Sequence, residues 1–166
     1  MLDEDRVRQM VRRVVYRTLG LSQRAGAAAA RPLVTEVDVL CPCAKENQIT
    51  RDNAADVKAA AIIEGANGPT TPEADEILTE KGVYIVPDIL ASAGGVIASY
   101  VEWRQAKSGA LTQKDETFQV IEERVTTAFD AMLKVAEEKG CRSLRTASQV
   151  TAAEELVATM RDRDWI

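Results

Sequence analysis

Three short segments place polar or glycine residues directly after runs of apolar residues. They carry Ala44 in CPCAKEN, Asn67 in EGANGPTT and Ser92 in ILASAGG. If the apolar runs are parallel strands, these segments follow the carboxyl ends of the strands, where open α/β sheets bind their ligands. The sequence therefore predicts that Ala44, Asn67 and Ser92 converge on one binding crevice.

Glycines make two of these segments suitable for close contact with a ligand. Two glycines flank Asn67 within residues 65–68, so the backbone can turn there and the asparagine amide is free to donate and accept hydrogen bonds. The sequence AGG at residues 93–95 permits close backbone approach just ahead of a predicted helix N-terminus, a place that suits anions. Taken alone, each segment has a simpler interpretation: a turn-forming asparagine, and a strand-to-helix turn without a ligand.

The elements that position these segments alternate between strand and helix patterns. Short runs rich in β-branched residues predict strands at residues 37–40, 60–64 and 83–86. Helical patterns separate them at residues 52–58 and 72–81, and the second begins with Pro72, whose missing N–H costs nothing in a first turn. Because no hairpin signals connect the strands, we predict a parallel sheet covered by helices, with right-handed crossovers.

From Gly95 onward the pattern is helical. Helices are predicted at residues 96–105, 116–139 and 145–161, with a polar break at residues 106–114. The middle helix carries an apolar stripe at helical spacing, formed by Phe118, Ile121, Val125, Phe129, Met132 and Val135. The predicted fold class is α/β, a partial Rossmann-like parallel sheet with a helical C-terminal tail.

The first 31 residues differ in charge from the remainder. They hold seven arginines against three acids, a charge of +4, which leaves −9 for the rest of a chain whose formal net charge is −5. Apolar residues recur there at helical spacing, at Val7, Met10, Val11, Val14, Val15 and Leu19. We predict an amphipathic helix at residues 1–20, a linker at residues 21–34 and one globular domain at residues 35–166. The helix is interpreted as a domain-packing helix, with a recruitment tag or a transit peptide as alternatives.

Composition excludes several functional classes. The chain has no histidine, so zinc hydrolases and Ser-His-Asp enzymes are excluded, and no metal ligand is assigned. The three cysteines are odd in number, and the spacing of Cys41 and Cys43 is too short for an ordinary disulfide or zinc site, which indicates reduced thiols in the cytoplasm. The net charge of −5 argues against a nucleic-acid partner. No apolar stretch approaches the roughly 18 residues of a membrane span.

Three longer stretches are similar to one enzyme family. They are DVLCPCAKENQIT at residues 38–50, EGANGPTTPEADEIL at residues 64–78 and PDILASAGGVIASYVEW at residues 87–103. In order and spacing they resemble the cofactor domain and the returning helix of glutamate dehydrogenases, and SYVEW favours the glutamate branch of the Glu/Leu/Phe/Val dehydrogenase family. The resemblance implies an NAD- or NADP-dependent oxidoreductase that converts glutamate to 2-oxoglutarate and ammonium.

The resemblance also implies roles for four residues. Asn67 contacts the bound amino acid or the nicotinamide end of the cofactor, and Ser99 holds the side-chain carboxylate of glutamate. Ala44 and Ser92 belong, with Asn67, to the cofactor site. Ser92 stands where the family usually has asparagine, so the paired donor and acceptor of an amide are lost at that position.

Parts that the reaction needs have no counterpart in this sequence. Neither the G-x-G-x-x-G/A turn that cradles the cofactor nor the Lys-Gly-Gly context of the family's catalytic lysine occurs in the chain. We therefore assign no catalytic residue and expect the isolated chain to be inactive, with a missing N-terminal half or a homo-oligomer as partner. The alternative function is a non-catalytic remnant or docking module recruited through the N-terminal helix. The choice between NAD and NADP stays open, because the deciding residue follows the missing second strand.

Overall fold

The computed structural model describes residues 32–166, and within them three strands form one parallel sheet. The strands are β1, Val39–Leu40, β2, Ala61–Ile63, and β3, Tyr84–Val86, in the order β1-β2-β3. Ile62 in the central strand lies opposite Leu40 on one side and Ile85 on the other. All of β2 is buried, as expected for a parallel strand covered on both faces. The predicted parallel α/β sheet is confirmed.

The crossover between β2 and β3 is helix α1, Pro72–Glu80. Its start is fixed by Thr71, whose side chain accepts a hydrogen bond from the Ala74 N–H, and by the proline in the first turn. Ala74 and Leu78, four residues apart, are fully buried in the same core cluster as the sheet residues. Gly82 follows with φ +74°, a left-handed conformation that favours glycine. The helix predicted at residues 72–81 is confirmed.

The described residues between β1 and β2 contain no α-helix, so the helix predicted at residues 52–58 is wrong. Only Ala54–Asp56 form a single 3-10 turn. The Asn53 side chain accepts a hydrogen bond from the Thr50 N–H at 2.8 Å and donates one to the Gln48 carbonyl at 2.9 Å. Such local side-chain bonds give the backbone an alternative to helix formation.

Helices make up the remainder of the described chain. They are α2, Asp88–Ala91, α3, Ala93–Ser108, α4, Lys114–Lys139, and α5, Leu144–Asp162. The last three correspond to the predicted helices and begin one to three residues earlier than predicted. Left-handed glycines, Gly109 and Gly140, follow α3 and α4. The predicted stripe of α4 is buried at Ile121, Val125, Phe129 and Met132.

The core cluster beside the sheet joins the loops, the strands and α1. Its buried members are Ile49, Ala54, Val57, Ala59, Ile62, Ala74, Leu78 and Ile85. Leu33, in the 3-10 turn Pro32–Val34, packs against this cluster, so the last residues of the predicted linker contact the domain. The amphipathic helix predicted at residues 1–20 and the linker as far as residue 31 lie outside the described residues. No helix in residues 32–166 is both long and apolar enough to cross a membrane.

Candidate functional site

Backbone hydrogen bonds join the loops that follow β1 and β2. The carbonyl of Pro42 accepts hydrogen bonds from the N–H groups of Gly65 at 3.1 Å and Ala66 at 2.9 Å. Further along, the Asn47 N–H donates to the carbonyl of Gly68 at 2.9 Å. The segments that carry Ala44 and Asn67 are therefore fixed to one another at the carboxyl end of the sheet.

A glycine fits closely where these two loops meet. A Cβ atom built on Gly65 would lie 2.5 Å from the Sγ atom of Cys43, well inside van der Waals contact. Three residues later, Gly68 has φ +53°, a left-handed conformation that L side chains rarely adopt. The two glycines of the GANG segment thus have separate physical reasons, one of space and one of backbone conformation.

Acidic side chains join the loop after β2 to the loop after β3. Glu64 directly follows β2, and its Oε2 atom accepts a hydrogen bond from the Asp88 N–H at 2.9 Å. Asp88 begins α2, and its Oδ2 atom accepts a hydrogen bond from the Gly68 N–H at 2.7 Å. Each loop therefore supplies a carboxylate to a backbone N–H of the other loop. These two hydrogen bonds fix the separation of the loops without using the side chain of Asn67.

Arg145, in the first turn of α5, connects three carboxylates at this end of the sheet. Its Nη2 atom lies 2.7 Å from Glu64 Oε1, its Nε atom 3.0 Å from Asp75 Oδ1, and its Nη1 atom 3.3 Å from Asp88 Oδ1. We call these four side chains the Arg145 cluster. Glu64 is fully buried in it, whereas Arg145 retains 22% exposure. Burial alone would lower the pKa of Arg145, but the hydrogen bond and charge of Glu64, with those of Asp75, raise it above its ordinary value.

A groove between α1 and the start of α5 gives solvent access to this cluster. Its volume is about 630 Å³, and its lining includes Asp75 and Arg145 together with the exposed Arg142. The hydroxyl of Thr70, also in the lining, is buried and has no hydrogen-bond partner among the described residues. The Arg145 cluster is therefore reached by water from the α1 side.

The predicted site residues are all exposed. Ala44 lies on the loop after β1 and Asn67 on the loop after β2. Ser92 lies between α2 and α3, where its hydroxyl donates to the Asp88 carbonyl at 2.7 Å, and the hydroxyl of Ser99 in α3 donates to the Gly95 carbonyl at 3.1 Å. The structure brings the three loops together, while the convergence of these side chains on one crevice stays a prediction.

The glycine pair of AGG occupies a different place from the one predicted. Helix α3 already begins at Ala93, so Gly94 and Gly95 lie in its first turn and not in a loop ahead of it. The physical reason is that α2 begins at Asp88, with Pro87 directly after β3 as its N-cap, and only Ser92 separates α2 from α3. A Cβ on Gly94 would lie 3.4 Å from the Cγ2 atom of Ile121, an ordinary van der Waals contact, so Gly94 faces α4.

Sequence reasoning missed the Arg145 cluster. Arg145 lies 81 residues after Glu64, and no spacing rule connects them. One signal was available: Glu64 ends an apolar run that predicts a buried strand, and a buried carboxylate requires a donor or a cation. This pattern predicts that Glu64 has a hydrogen-bond donor or cation as partner, but it does not identify Arg145 as that partner.

Comparisons with known proteins agree on one family. The family model for Glutamate/Leucine/Phenylalanine/Valine dehydrogenase matches residues 5–164. The chain is 44% identical over 132 residues to the NADP-specific glutamate dehydrogenase of Saccharolobus shibatae, covering 79% of this chain and 31% of that protein. It is 42% identical over 130 residues to the NAD-specific glutamate dehydrogenase of Staphylococcus aureus, covering 78% and 31%. The chain thus spans about 31% of the length of these relatives.

Solved structures show the same relationship. A crystal structure of glutamate dehydrogenase from Peptoniphilus asaccharolyticus is similar with a TM-score of 0.72 and 38% identity, covering 76% of this chain and 32% of that one. A hetero-hexameric glutamate dehydrogenase from Thermus thermophilus, in a leucine-bound form, gives a TM-score of 0.76 and 32% identity, covering 93% and 37%. Both matches are to part of a longer dehydrogenase chain.

Proposed function

The chain belongs to the Glutamate/Leucine/Phenylalanine/Valine dehydrogenase family, and from that premise we propose that it is part of an NAD(P)-dependent glutamate dehydrogenase. Such an enzyme oxidises glutamate to 2-oxoglutarate and releases ammonium, with the hydride passing to the nicotinamide. The observation that carries the proposal is the 44% identity to a glutamate dehydrogenase over 132 residues that include all three loops at the strand ends. The cysteine content fits a cytoplasmic enzyme.

We assign the binding roles to the three joined loops and to α3. Ala44, Asn67 and Ser92 contact the cofactor, while Asn67 and Ser99 contact glutamate or 2-oxoglutarate. The fixed separation of the loops supports this assignment, because a binding site must hold its polar groups in place before the ligand arrives. Each serine hydroxyl donates to the carbonyl four residues earlier. To hold the side-chain carboxylate of glutamate, which only accepts hydrogen bonds, the Ser99 hydroxyl turns its proton from the Gly95 carbonyl to the ligand.

The residues of this chain fit only part of a dinucleotide site. The loops at the strand ends suit the nicotinamide end of NAD or NADP, but the sequence contains no G-x-G-x-x-G/A turn for the pyrophosphate. It also contains no Lys-Gly-Gly segment to supply the lysine base. We therefore assign no proton-transfer step to a residue of this chain.

A partner polypeptide completes the proposed enzyme. The relatives are about three times as long as the matched segment, and an apolar face of α3 is exposed at Val96 (69%), Tyr100 (44%) and Trp103 (56%). These residues follow helical spacing, so they form one stripe, and Ile89 in α2 adds a fourth exposed apolar side chain. We propose that this α3 face contacts the missing N-terminal half, with a second copy of the chain as the other candidate occupant.

Complementation tests the proposal. The purified chain is assayed with glutamate and NAD or NADP, and in reverse with 2-oxoglutarate, ammonium and the reduced cofactor. The same assays are repeated after mixing it with the N-terminal part of the Saccharolobus shibatae relative, up to the start of the matched region. We expect no turnover by the chain alone, because general acid–base groups contribute about 10² to 10⁴-fold each and none has been assigned to it.

The mixture is expected to show saturable turnover that Asn67→Ala and Ser99→Ala each reduce. The matched control is Ser108→Ala, a helical serine at the other end of α3 whose hydroxyl also bonds within the helix. Turnover by the chain alone would contradict the assignment of catalysis to the missing half. Absence of cofactor binding and of turnover in every arrangement would instead support the alternative, a non-catalytic docking module.

A further inference from the structure

We propose that Arg145 is a positioning residue: its guanidinium fixes, through Glu64 and Asp88, the two loops that carry Asn67 and Ser92. The part of this inference that concerns ligand binding rests on the proposed function. The part that concerns loop geometry rests on the contacts of the Arg145 cluster alone.

The buried carboxylate of Glu64 is the first link. It stands immediately after the central strand β2 and is fully excluded from solvent. One oxygen receives the Arg145 Nη2 donor at 2.7 Å and the other receives the Asp88 N–H at 2.9 Å. Because a buried carboxylate is costly without compensating donors, Glu64 holds both Arg145 and the start of α2 against the strand.

Asp88 is the second link, and it reaches the loop that carries Asn67. Its Oδ2 atom accepts from the Gly68 N–H at 2.7 Å, while its Oδ1 atom accepts from the Ile89 N–H at 2.9 Å and from Arg145 Nη1 at 3.3 Å. Its own carbonyl accepts the hydroxyl of Ser92 at 2.7 Å. A single aspartate, held by the guanidinium together with the Ile89 N–H, thus contacts the residue next to Asn67 and also Ser92.

Asp75 holds the guanidinium through a third hydrogen bond. It lies in the first turn of α1 and accepts from Arg145 Nε at 3.0 Å, so the planar side chain is held from a third direction. A guanidinium presents several donors in one rigid plane, whereas a lysine ammonium is a point charge on a flexible stem. Lysine at this position could neutralise part of the cluster but could not orient three carboxylates at once.

The charge balance of the Arg145 cluster indicates that loss of the guanidinium would displace the loops first. Three carboxylates share one cation, so removal of the guanidinium leaves Glu64, Asp75 and Asp88 to repel one another. Among the three, Asp88 is the most exposed and begins a helix of only four residues, which makes it the easiest to displace. Its displacement would release the Gly68 N–H and, with it, the segment that carries Asn67.

Amide hydrogen exchange on the whole chain, without ligand, tests the geometric part. Arg145→Lys and Arg145→Gln are compared with the unaltered chain, and Arg142→Gln, an exposed arginine in the lining of the same groove, is the matched control. Met132→Ala, in the buried stripe of α4 outside the Arg145 cluster, is the control for general destabilisation. The thermal midpoint of each chain is measured in parallel.

For Arg145→Lys we expect exchange in residues 65–68 and 88–92 to accelerate at least tenfold more than exchange in β2. We also expect the thermal midpoint of Arg145→Lys to lie close to that of the unaltered chain and well above that of Arg145→Gln. Arg145→Lys would then keep its overall stability while its loops exchange faster. A purely structural arginine would give uniform acceleration, as Met132→Ala should, and lysine would then restore the loops and the midpoint together. Uniform acceleration, or no acceleration beyond that of Arg142→Gln, overturns the proposal.

The ligand-binding part is read separately in the complemented mixture. There, Arg145→Lys is expected to raise KM for glutamate several-fold more than it lowers kcat, because the loop that carries Asn67 is no longer held for binding. Local loop acceleration without any turnover in the unaltered mixture would refute the proposed function and leave the positioning role intact. Turnover in the unaltered mixture, with unaltered exchange in Arg145→Lys, would support the proposed function and refute the positioning role.

Discussion

At the residue scale, Gly65 lies against the exposed Cys43, whose sulfur a side chain at position 65 would displace. We predict that Gly65→Ala lowers the free energy of unfolding by about 1 kcal/mol, since the Cys43 side chain must rotate away from its present position to make room for the Cβ. Urea unfolding followed by circular dichroism measures the change.

Two further variants isolate the cause of that effect. Gly95→Ala is the control, because nothing lies within 4 Å of a Cβ at that helical position, and helix propensity predicts an unchanged or slightly higher stability, by up to about 1 kcal/mol. Adding Cys43→Ala to Gly65→Ala should recover most of the loss. Equal losses for Gly65→Ala and Gly95→Ala would show that the cysteine contact is not the reason.

Cys41 provides a pH-dependent prediction at the same scale. Partial burial, and secondarily the neighbouring Cys43, raise the pKa of the Cys41 thiol, although the residue as a whole is exposed. The folded chain therefore holds this proton more tightly than the unfolded chain. In the Cys43→Ser chain we expect alkylation of Cys41 by iodoacetamide to reach its half-maximal rate at higher pH when folded than in concentrated urea. By linkage, the contribution of this thiol to stability is lost as pH rises above its unfolded pKa. Coincident rate profiles would contradict the assignment.

At the element scale, α5 matters because its first turn carries Arg145. The Ser143 side chain caps this helix by accepting a hydrogen bond from the Thr146 N–H at 3.2 Å. We predict that Ser143→Ala lowers the free energy of unfolding by about 1 kcal/mol, the usual value of an N-cap. Ser108→Ala, at the C-terminal end of α3, removes no N-cap and only an exposed 3.3 Å contact from the Ala110 N–H, and should change it by less than about 0.5 kcal/mol. Equal effects of the two variants, in matched thermal or urea unfolding, would argue against a capping role.

The elements also show how local chemistry shifts a boundary. Propensity marks residues 52–58 as helical, yet Asn53 bonds its own neighbours and leaves a 3-10 turn. Conversely, the sequence AGG is typical of a loop, but the start of α2 at Asp88, directly after Pro87, places both glycines inside α3. In the first case a local side-chain hydrogen bond replaces the helix, and in the second the start of a helix a few residues earlier places the glycines in the next helix.

At the scale of the whole molecule, the exposed α3 face is where we propose that a complementary N-terminal part binds. We expect Trp103→Ser to weaken binding of the complementary N-terminal part at least tenfold, because exposed aromatic side chains carry much of the free energy of such contacts. Trp165→Ser is the matched control, since that tryptophan is similarly exposed, at 63%, and follows the last helix near the C-terminus. Fluorescence titration or analytical ultracentrifugation measures the binding. Equal losses for both variants would place the interface elsewhere.

The sequence by itself determined the family, the parallel sheet and the helical tail. Glycine, proline and apolar periodicity act over a few residues, so α1, the buried stripe of α4 and the three strands could be predicted from local pattern. The position of Asn67 on a loop at a strand end follows from the same reasoning, because parallel strands direct their carboxyl ends to one edge.

Only the tertiary structure decided how that edge is held. Arg145 meets Glu64 across 81 residues of chain, and Asp88 meets Gly68 across 20. Such contacts depend on how α5 returns over the sheet, and no periodicity in the sequence records which cation reaches which buried carboxylate. Local pattern fixes what each segment becomes, whereas long-range packing and the cost of burying charge fix which side chains then meet.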